Sequence, residues 1–147
     1  MCSFGEAPGN VMIRNKAQIL DYLVKKLRSS CPDVEEAALV TDEGLVLVCT
    51  SDNGERKDRF SALAAAAMRH ASRSAENLDL GETSFVIVAG QNGNLYMKWI
   101  DERSFLAATV KRNADWRTVR QLVGRTATDI RHIGEIRGHL ASTTQLA

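Results

Sequence analysis

Between Asp58 and Leu78 the chain reads DRFSALAAAAMRHASRSAENL, with neither Pro nor Gly and mostly strong helix formers. The stretch reads as one long helix. At about 100° per residue, Phe60, Ala64, Ala67, Ala71 and Leu78 share a narrow stripe, widened by Leu63, Met68 and Ala75. That stripe is expected to lie on a sheet. The opposite side carries Ala62, Ala65, Ala66, Arg69, Arg73 and Glu76. Its first half has methyl groups where a solvated helix usually carries long polar side chains, and small residues let another backbone come close. The helix therefore reads as held on both sides, by its own sheet and by a second protein or subunit. On this reading Ala62→Glu or Ala65→Glu breaks the assembly and leaves the monomer folded. Alanine is also the best helix former and is tolerated in water, which explains the same face without a neighbour.

The flanking sequence supplies the sheet. Asn15 followed by Gln18 has the spacing of a capping box, and a helix runs from Lys16 to about Ser30, with Ile19, Leu20, Leu23, Val24 and Leu27 on one face. Pro32 ends it. Val34 to Thr41 and Leu45 to Thr50 read as strands joined by Asp42-Glu43-Gly44, with Gly44 at positive φ. Asn53-Gly54 is expected to turn before the long helix, which Gly81 closes. Strands follow at Ser84 to Ala89, Leu95 to Ile100 and Phe105 to Val110, the first pair joined by Asn92-Gly93 in a type I′ hairpin. LVLVCT and SFVIVA are apolar almost throughout, so both strands are expected to be covered on both faces. Asn113 or Asp115 caps a last helix with Trp116, Val119, Leu122, Val123, Ala127, Ile130 and Ile133 on its apolar face. Gly134 and Gly138 weaken its far end.

The fold class is α/β in the broad sense (α+β by topology): a three-layer α/β/α sandwich around a five-stranded antiparallel sheet, in the order α-β-β-α-β-β-β-α. The central helix is expected on one sheet face and the first and last helices on the other. Residues 1–14 read as a flexible leader with a Val11-Met12-Ile13 patch, residues 15–137 as the domain, and residues 138–147 as a loose tail.

A chain of 147 residues suits one domain, and 44% hydrophobic with 25% charged residues is a globular composition. A net charge of +1 gives no general attraction to nucleic acid or to an anionic membrane. No apolar run approaches the roughly 20 residues of a membrane helix, and the first ten residues lack the pattern of a signal peptide. The expectation is a cytoplasmic protein without membrane insertion. Cys2, Cys31 and Cys49 are odd in number and far apart, against a disulfide framework and against a zinc site. Cys49 is expected as a small core residue.

The helix ending in Cys31-Pro32-Asp33-Val34, the hairpin VEEAALVTDEGLV from Val34 to Val46, the Ala-rich helix and LGETSFVIVAGQNGNLYMKWI together resemble the Roadblock (dynein light chain) domain. The resemblance extends from about Asn15 to Ile136 and is closest to prokaryotic single-domain members. It implies a homodimer that pairs through the central helix and the strand after it, joining two sheets into one. It also implies a surface on the paired helices that receives a Ras-like small GTPase. Carried over by position, Ala62, Ala65, Ala66, Arg69, Arg73 and Glu76 would face the pairing or partner side. Ser84, Phe85, Val86, Ile87 and Val88 would form the pairing edge strand, which ends at Ala89. The implied activity is that of a non-catalytic module that regulates or scaffolds the GTPase.

Catalytic, cofactor and metal sites are not expected. There is no Gly-x-Ser-x-Gly, no His-Glu-x-x-His and no phosphate loop ending in Lys-Ser or Lys-Thr. Gly90-Gln91-Asn92-Gly93 precedes a strand and reads as a hairpin, not a phosphate cradle. His70, His132 and His139 lack Cys or acidic companions for a metal. Arg69 and Arg73, one helical turn apart, suit an acidic patch on a GTPase, or an arginine finger. Pairing along the helix with Glu76 explains the same residues. Arg117, Arg120 and Arg131 form a basic flank, and solvation is its simplest account. The alternative function is a small-ligand sensor of the PAS, GAF or profilin-like kind. The strands' large apolar residues leave few convergent polar groups for such a pocket.

Overall fold

The computed structural model describes the backbone of residues 15–146 and the side chains of residues 15–134. The leader expected over residues 1–14, with Cys2 and the Val11-Met12-Ile13 patch, lies outside the described residues, as does the side chain of His139.

Helix α1, Lys16–Ser30, opens on the capping box. The Gln18 N–H donates to Asn15 Oδ1 at 2.9 Å and the Asn15 N–H to Gln18 Oε1 at 3.2 Å, satisfying two end donors reciprocally. Strand β1, Val34–Thr41, turns into β2, Val46–Cys49. At the turn the Gly44 N–H donates to the Thr41 carbonyl and Gly44 sits at φ +95, where a side chain is strained. Helix α2, Gly54–Asn77, starts earlier than expected. Asn53 accepts the Arg56 N–H at 3.0 Å, so Asn53-Gly54 caps and opens the helix instead of forming a separate turn.

The end of α2 also differs. The Leu80 N–H donates to the Ala75 carbonyl and the Asp79 N–H to the Glu76 carbonyl, with Asp79 at φ 58. This is a Schellman stop with Asp where Gly is usual; Gly81 lies beyond it. Strands β3, Phe85–Ala89, and β4, Asn94–Trp99, meet at Gln91-Asn92. Asp79 is the one non-glycine described residue with positive φ. Asn92 therefore does not adopt the type I′ geometry, and the Gly90 N–H donates to the Gly93 carbonyl instead. Strand β5, Ser104–Val110, leads to α3, Trp116–Leu146. Of the two candidate caps the structure uses Asp115, which accepts from the Thr118 hydroxyl at 2.8 Å and from the Arg117 N–H at 3.2 Å. These bonds hold its carboxyl below the usual range. The helix backbone continues through Gly134 and Gly138, the expected weak points of its far end, and on to Leu146 through residues expected as a loose tail.

The sheet is antiparallel throughout, in the order β2-β1-β5-β4-β3. Alternation splits β1 and β5 between two cores. Ala37, Leu39, Leu106, Ala108 and Val110 face α1 and α3, together with Val24, Leu27, Val119 and Val123. Ala38, Val40, Phe105 and Ala107 face α2, against Ala64, Ala65 and Met68. The three layers are as expected.

The strands covered on both faces are not the expected ones. They are β1 and β5, whose alanines let helices approach, and the middle of β4, where Tyr96 faces one core and Met97 the other. LVLVCT and SFVIVA are the sheet's two edges. On β2, Leu47 is 53% exposed and neighbouring Leu45 is 62% exposed; on β3, Ile87 and Val88 are 40% and 48% exposed. A continuous apolar run reports only that water is disfavoured on both faces. It does not say that this chain supplies the cover.

Candidate functional site

The surface singled out by the sequence has two parts, the outward flank of α2 and the strand β3. On α2, Ala62, Leu63, Ala66, Arg69, His70, Arg73 and Glu76 are exposed. Ala65 is not among them. At 1% exposure it belongs to the α2-side core. A Cβ built on Gly44 would lie 3.6 Å from Ala65 Cβ and 3.7 Å from Ala62 Cα, so α2 rests directly on the β1–β2 turn. Leu63 and Leu78, expected against the sheet, are instead 62% and 68% exposed. The helix is turned about its axis so that Ser61 and Ala65 point inward. Ser61 tolerates burial because its hydroxyl donates to the Asp58 carbonyl at 3.0 Å.

The arginines have different surroundings. Arg69 donates to the Asp42 carbonyl at 2.9 Å and braces the β1–β2 turn. Arg73 and Glu76 stand exposed along the same flank. Arg56 forms an ion pair with Glu36, Nη2 and Nε lying 2.7 and 2.8 Å from Glu36 Oε1. The hydrogen bond from Arg56 holds the Glu36 carboxyl below its ordinary range.

On the sheet, β3 has a strand neighbour on one side only. Phe85 packs on the α1–α3 core and Val86 on the α2 core, while Ile87 and Val88 carry the exposure. Ser84 is exposed just before the strand. Beside Val88 and Leu95, on the sheet face that α2 crosses, the surface falls into a groove of about 470 Å³ that reaches Glu36 and Arg56. The site is thus an edge strand, a strip of uncovered sheet and a helix flank of small residues. That combination can pair with a strand and seat a helix.

Arg117, Arg120 and Arg131 do not act as one stripe. Arg131 donates through Nε to the Ile100 carbonyl at 2.8 Å, and Arg120 stands 4.9 Å from the centre of the Phe85 ring. Cys31 is buried and Cys49 partly buried, as thiols. Among the described residues, no group of three His, Cys, Asp or Glu is placed to hold a metal, and no helix is long and apolar enough to cross a membrane.

The sequence missed which side of α2 faces inward and that β2 is an edge; the edge position of β3, which the resemblance implied, stands in the structure. The wall made by Phe85, Tyr96 and Trp116 was also not anticipated. Its signal was present in the aromatic residues of β3 and β4, but the pairing register was needed to bring them together.

Comparison with known proteins agrees with this geometry. No curated protein matches the sequence. Among solved structures, the Roadblock/LC7 domain from Streptomyces avermitilis superposes with a TM-score of 0.73 at 21% identity, covering 77% of this chain and 95% of that one. MglB from Myxococcus xanthus gives 0.74 at 15% identity, covering 83% and 92%. An MglB in a tetrameric arrangement gives 0.74 at 17%, again covering 83% and 92%. At such identities the likeness establishes a shared fold. The Roadblock/LC7 family model matches residues 20–110, well over half of the sequence. The chain belongs to the Roadblock/LC7 domain family.

Proposed function

We propose that the protein is a non-catalytic, cytoplasmic interaction module that forms a homodimer through α2 and β3 and binds a Ras-like small GTPase, regulating or scaffolding it. The observation that carries the reading is the mismatch on β3. Its sequence asks for cover on both faces, yet Ile87 and Val88 remain 40% and 48% exposed within the chain. Unpaired strand edges and exposed apolar strips are normally blunted or occupied. A second β3, running antiparallel, would occupy the edge. A second α2, coming in over Ala62, Leu63 and Ala66, would cover the strip. The paired helices would then present Arg73 and Glu76 to a partner. Family membership and the tetrameric arrangement of an MglB with the same fold support self-association.

Light scattering on the eluting protein tests the dimer. A strict monomer at tens of micromolar would remove the reading's foundation. For the partner, a small GTPase encoded in the same genome is loaded with GDP or with a non-hydrolysable GTP analogue and captured on the immobilised protein. Retention of one nucleotide state over the other is expected; equal absence from both would refute the GTPase assignment.

A further inference from the structure

The sheet face opposite α2 is incompletely covered. At its β3–β4 end lies a groove of about 560 Å³. One wall is aromatic: the Phe85 and Tyr96 ring centres are 5.7 Å apart, and those of Tyr96 and Trp116 are 5.9 Å apart. The rim is cationic, with Lys98 from β4 and Arg117 and Arg120 from α3, and no carboxylate lines it. Burial raises the Tyr96 phenol above its ordinary range, while neighbouring Arg120 pulls the other way. Gly124 borders the groove, and a Cβ built there meets nothing within 4 Å. A side chain added at this position would therefore project into open space at the border of the hollow.

Ser84 and Lys98 line this groove and also a second one of similar volume. There the sign of charge changes, with Glu82 and Glu102 among the lining residues. Thr83 Oγ1 is buried beside them without a hydrogen-bond partner among the described residues. The two hollows meet at Ser84 and Lys98 in a trough round the end of the sheet, cationic and aromatic beside α3 and mainly anionic beyond, where Glu76 and Asp101 add to Glu82 and Glu102 against Arg131.

We propose that this trough is a docking site for an extended segment of a partner protein. The segment carries carboxylates for Arg117 and Arg120, a large apolar side chain against the part-exposed Phe85 and Trp116, and a basic residue for Glu82 and Glu102. Tilted ring pairs with a guanidinium beside them receive aromatic or bulky apolar groups. Arginine at such a rim selects carboxylates. The reversal of sign decides the class of partner. A nucleic acid presents uniform negative charge, as does an anionic bilayer, and either would be repelled by Glu82 and Glu102. A polypeptide can reverse its charge within a few residues. The aromatic half opens away from α2, while the anionic half touches α2 through Ser72 and Glu76, and Ser84 and Phe85 adjoin the proposed pairing edge, so the test reads peptide binding apart from GTPase capture.

The test selects short random peptides on phage against the full-length protein. Recovered sequences are then measured as labelled synthetic peptides by fluorescence anisotropy. Enriched peptides are expected to place Asp or Glu on one side of Trp, Phe or Leu and Lys or Arg on the other. Gly124→Leu, which intrudes on the hollow, and Arg120→Glu, on the exposed rim, should each weaken binding about tenfold or more. Circular dichroism should show both variants folded, and Arg120→Glu serves as the control should Gly124→Leu lower the melting point. A peptide with its carboxylates exchanged for lysines should regain affinity for Arg120→Glu. Four results would overturn the proposal: no enrichment, enrichment without that charge order, undiminished binding to Arg120→Glu, or tighter binding of a single-stranded oligonucleotide or anionic vesicles than of any peptide. None of these depends on the GTPase capture, so the two readings fail separately.

Discussion

Ala65→Glu and Ala66→Glu place the same carboxylate on adjacent residues of α2, with opposite surroundings. Ala65 is 1% exposed among Ala38, Val40 and Phe105, directly over the β1–β2 turn; Ala66 is exposed. A glutamate at 65 has no polar partner in that core. Keeping it neutral at pH 7 costs about 3–4 kcal/mol, and forcing the longer side chain into packed space costs about 1–3 kcal/mol more. The sum, roughly 4–7 kcal/mol, is a large share of the 5–15 kcal/mol by which a domain is stable. The melting temperature should fall by about 10 °C or more, if the variant folds at all. Ala66→Glu should change the stability of the monomer by no more than about 0.5 kcal/mol, while abolishing the proposed dimer. Thermal melts by circular dichroism and light scattering on the same samples separate the effects. An Ala65→Glu protein melting within a few degrees of the parent would refute the inward placement of Ala65. An Ala66→Glu protein that keeps the parent's oligomeric mass would refute pairing through this flank.

Other outcomes follow from single sites. Asp79 holds φ 58 at the stop of α2, so Asp79→Gly should relieve strain and stabilise the protein by about 0.5–1 kcal/mol. Calorimetry should show a small rise in melting temperature, and a fall would mean that the Asp side chain contributes more than its backbone costs. Arg56→Gln removes the partner that lowers the Glu36 carboxyl below 4.5. A depressed folded-state value stabilises above the unfolded one and is lost as pH falls through the folded one. The parent should therefore exceed Arg56→Gln in denaturant midpoint at neutral pH and converge with it in acid. An offset independent of pH would point to lost packing instead.

What could be read from the sequence was local. The Asn15–Gln18 cap, the Val34–Thr41 strand, the Gly44 turn and the Asp115 cap each rest on residues whose chemistry acts within a few positions, and each stands in the structure. The facing of α2 does not. Ala62, Ala64, Ala65, Ala66 and Ala67 are the same residue, so periodicity has almost nothing to orient on, and Ser61 is buried where a polarity pattern would point it outward. Which strands are edges is likewise non-local. It depends on β1 choosing β5, and neither strand is marked for the other. Of the residues offered for the α2 surface, Ala65 is buried while Ala62, Ala66, Arg69, Arg73 and Glu76 stand exposed, because their facing follows from the undetermined rotation of the helix.

The seam between β1 and β5 has a kinetic consequence. One of its bonds, from the Glu36 amide to the Thr109 hydroxyl, closes a separation of 73 residues. The β1–β2 ribbon and the β3–β4–β5 meander can each zip up locally, but neither buries both faces alone. Contacts so distant carry a loop-closure penalty before they are rewarded. The rate-limiting event should be the meeting of these two ribbons, with Ala38 and Ala107 at the junction. Until they meet, the edges of β1 and β5 lie open in addition to the outer margins LVLVCT and SFVIVA, which makes nascent molecules prone to capture by one another.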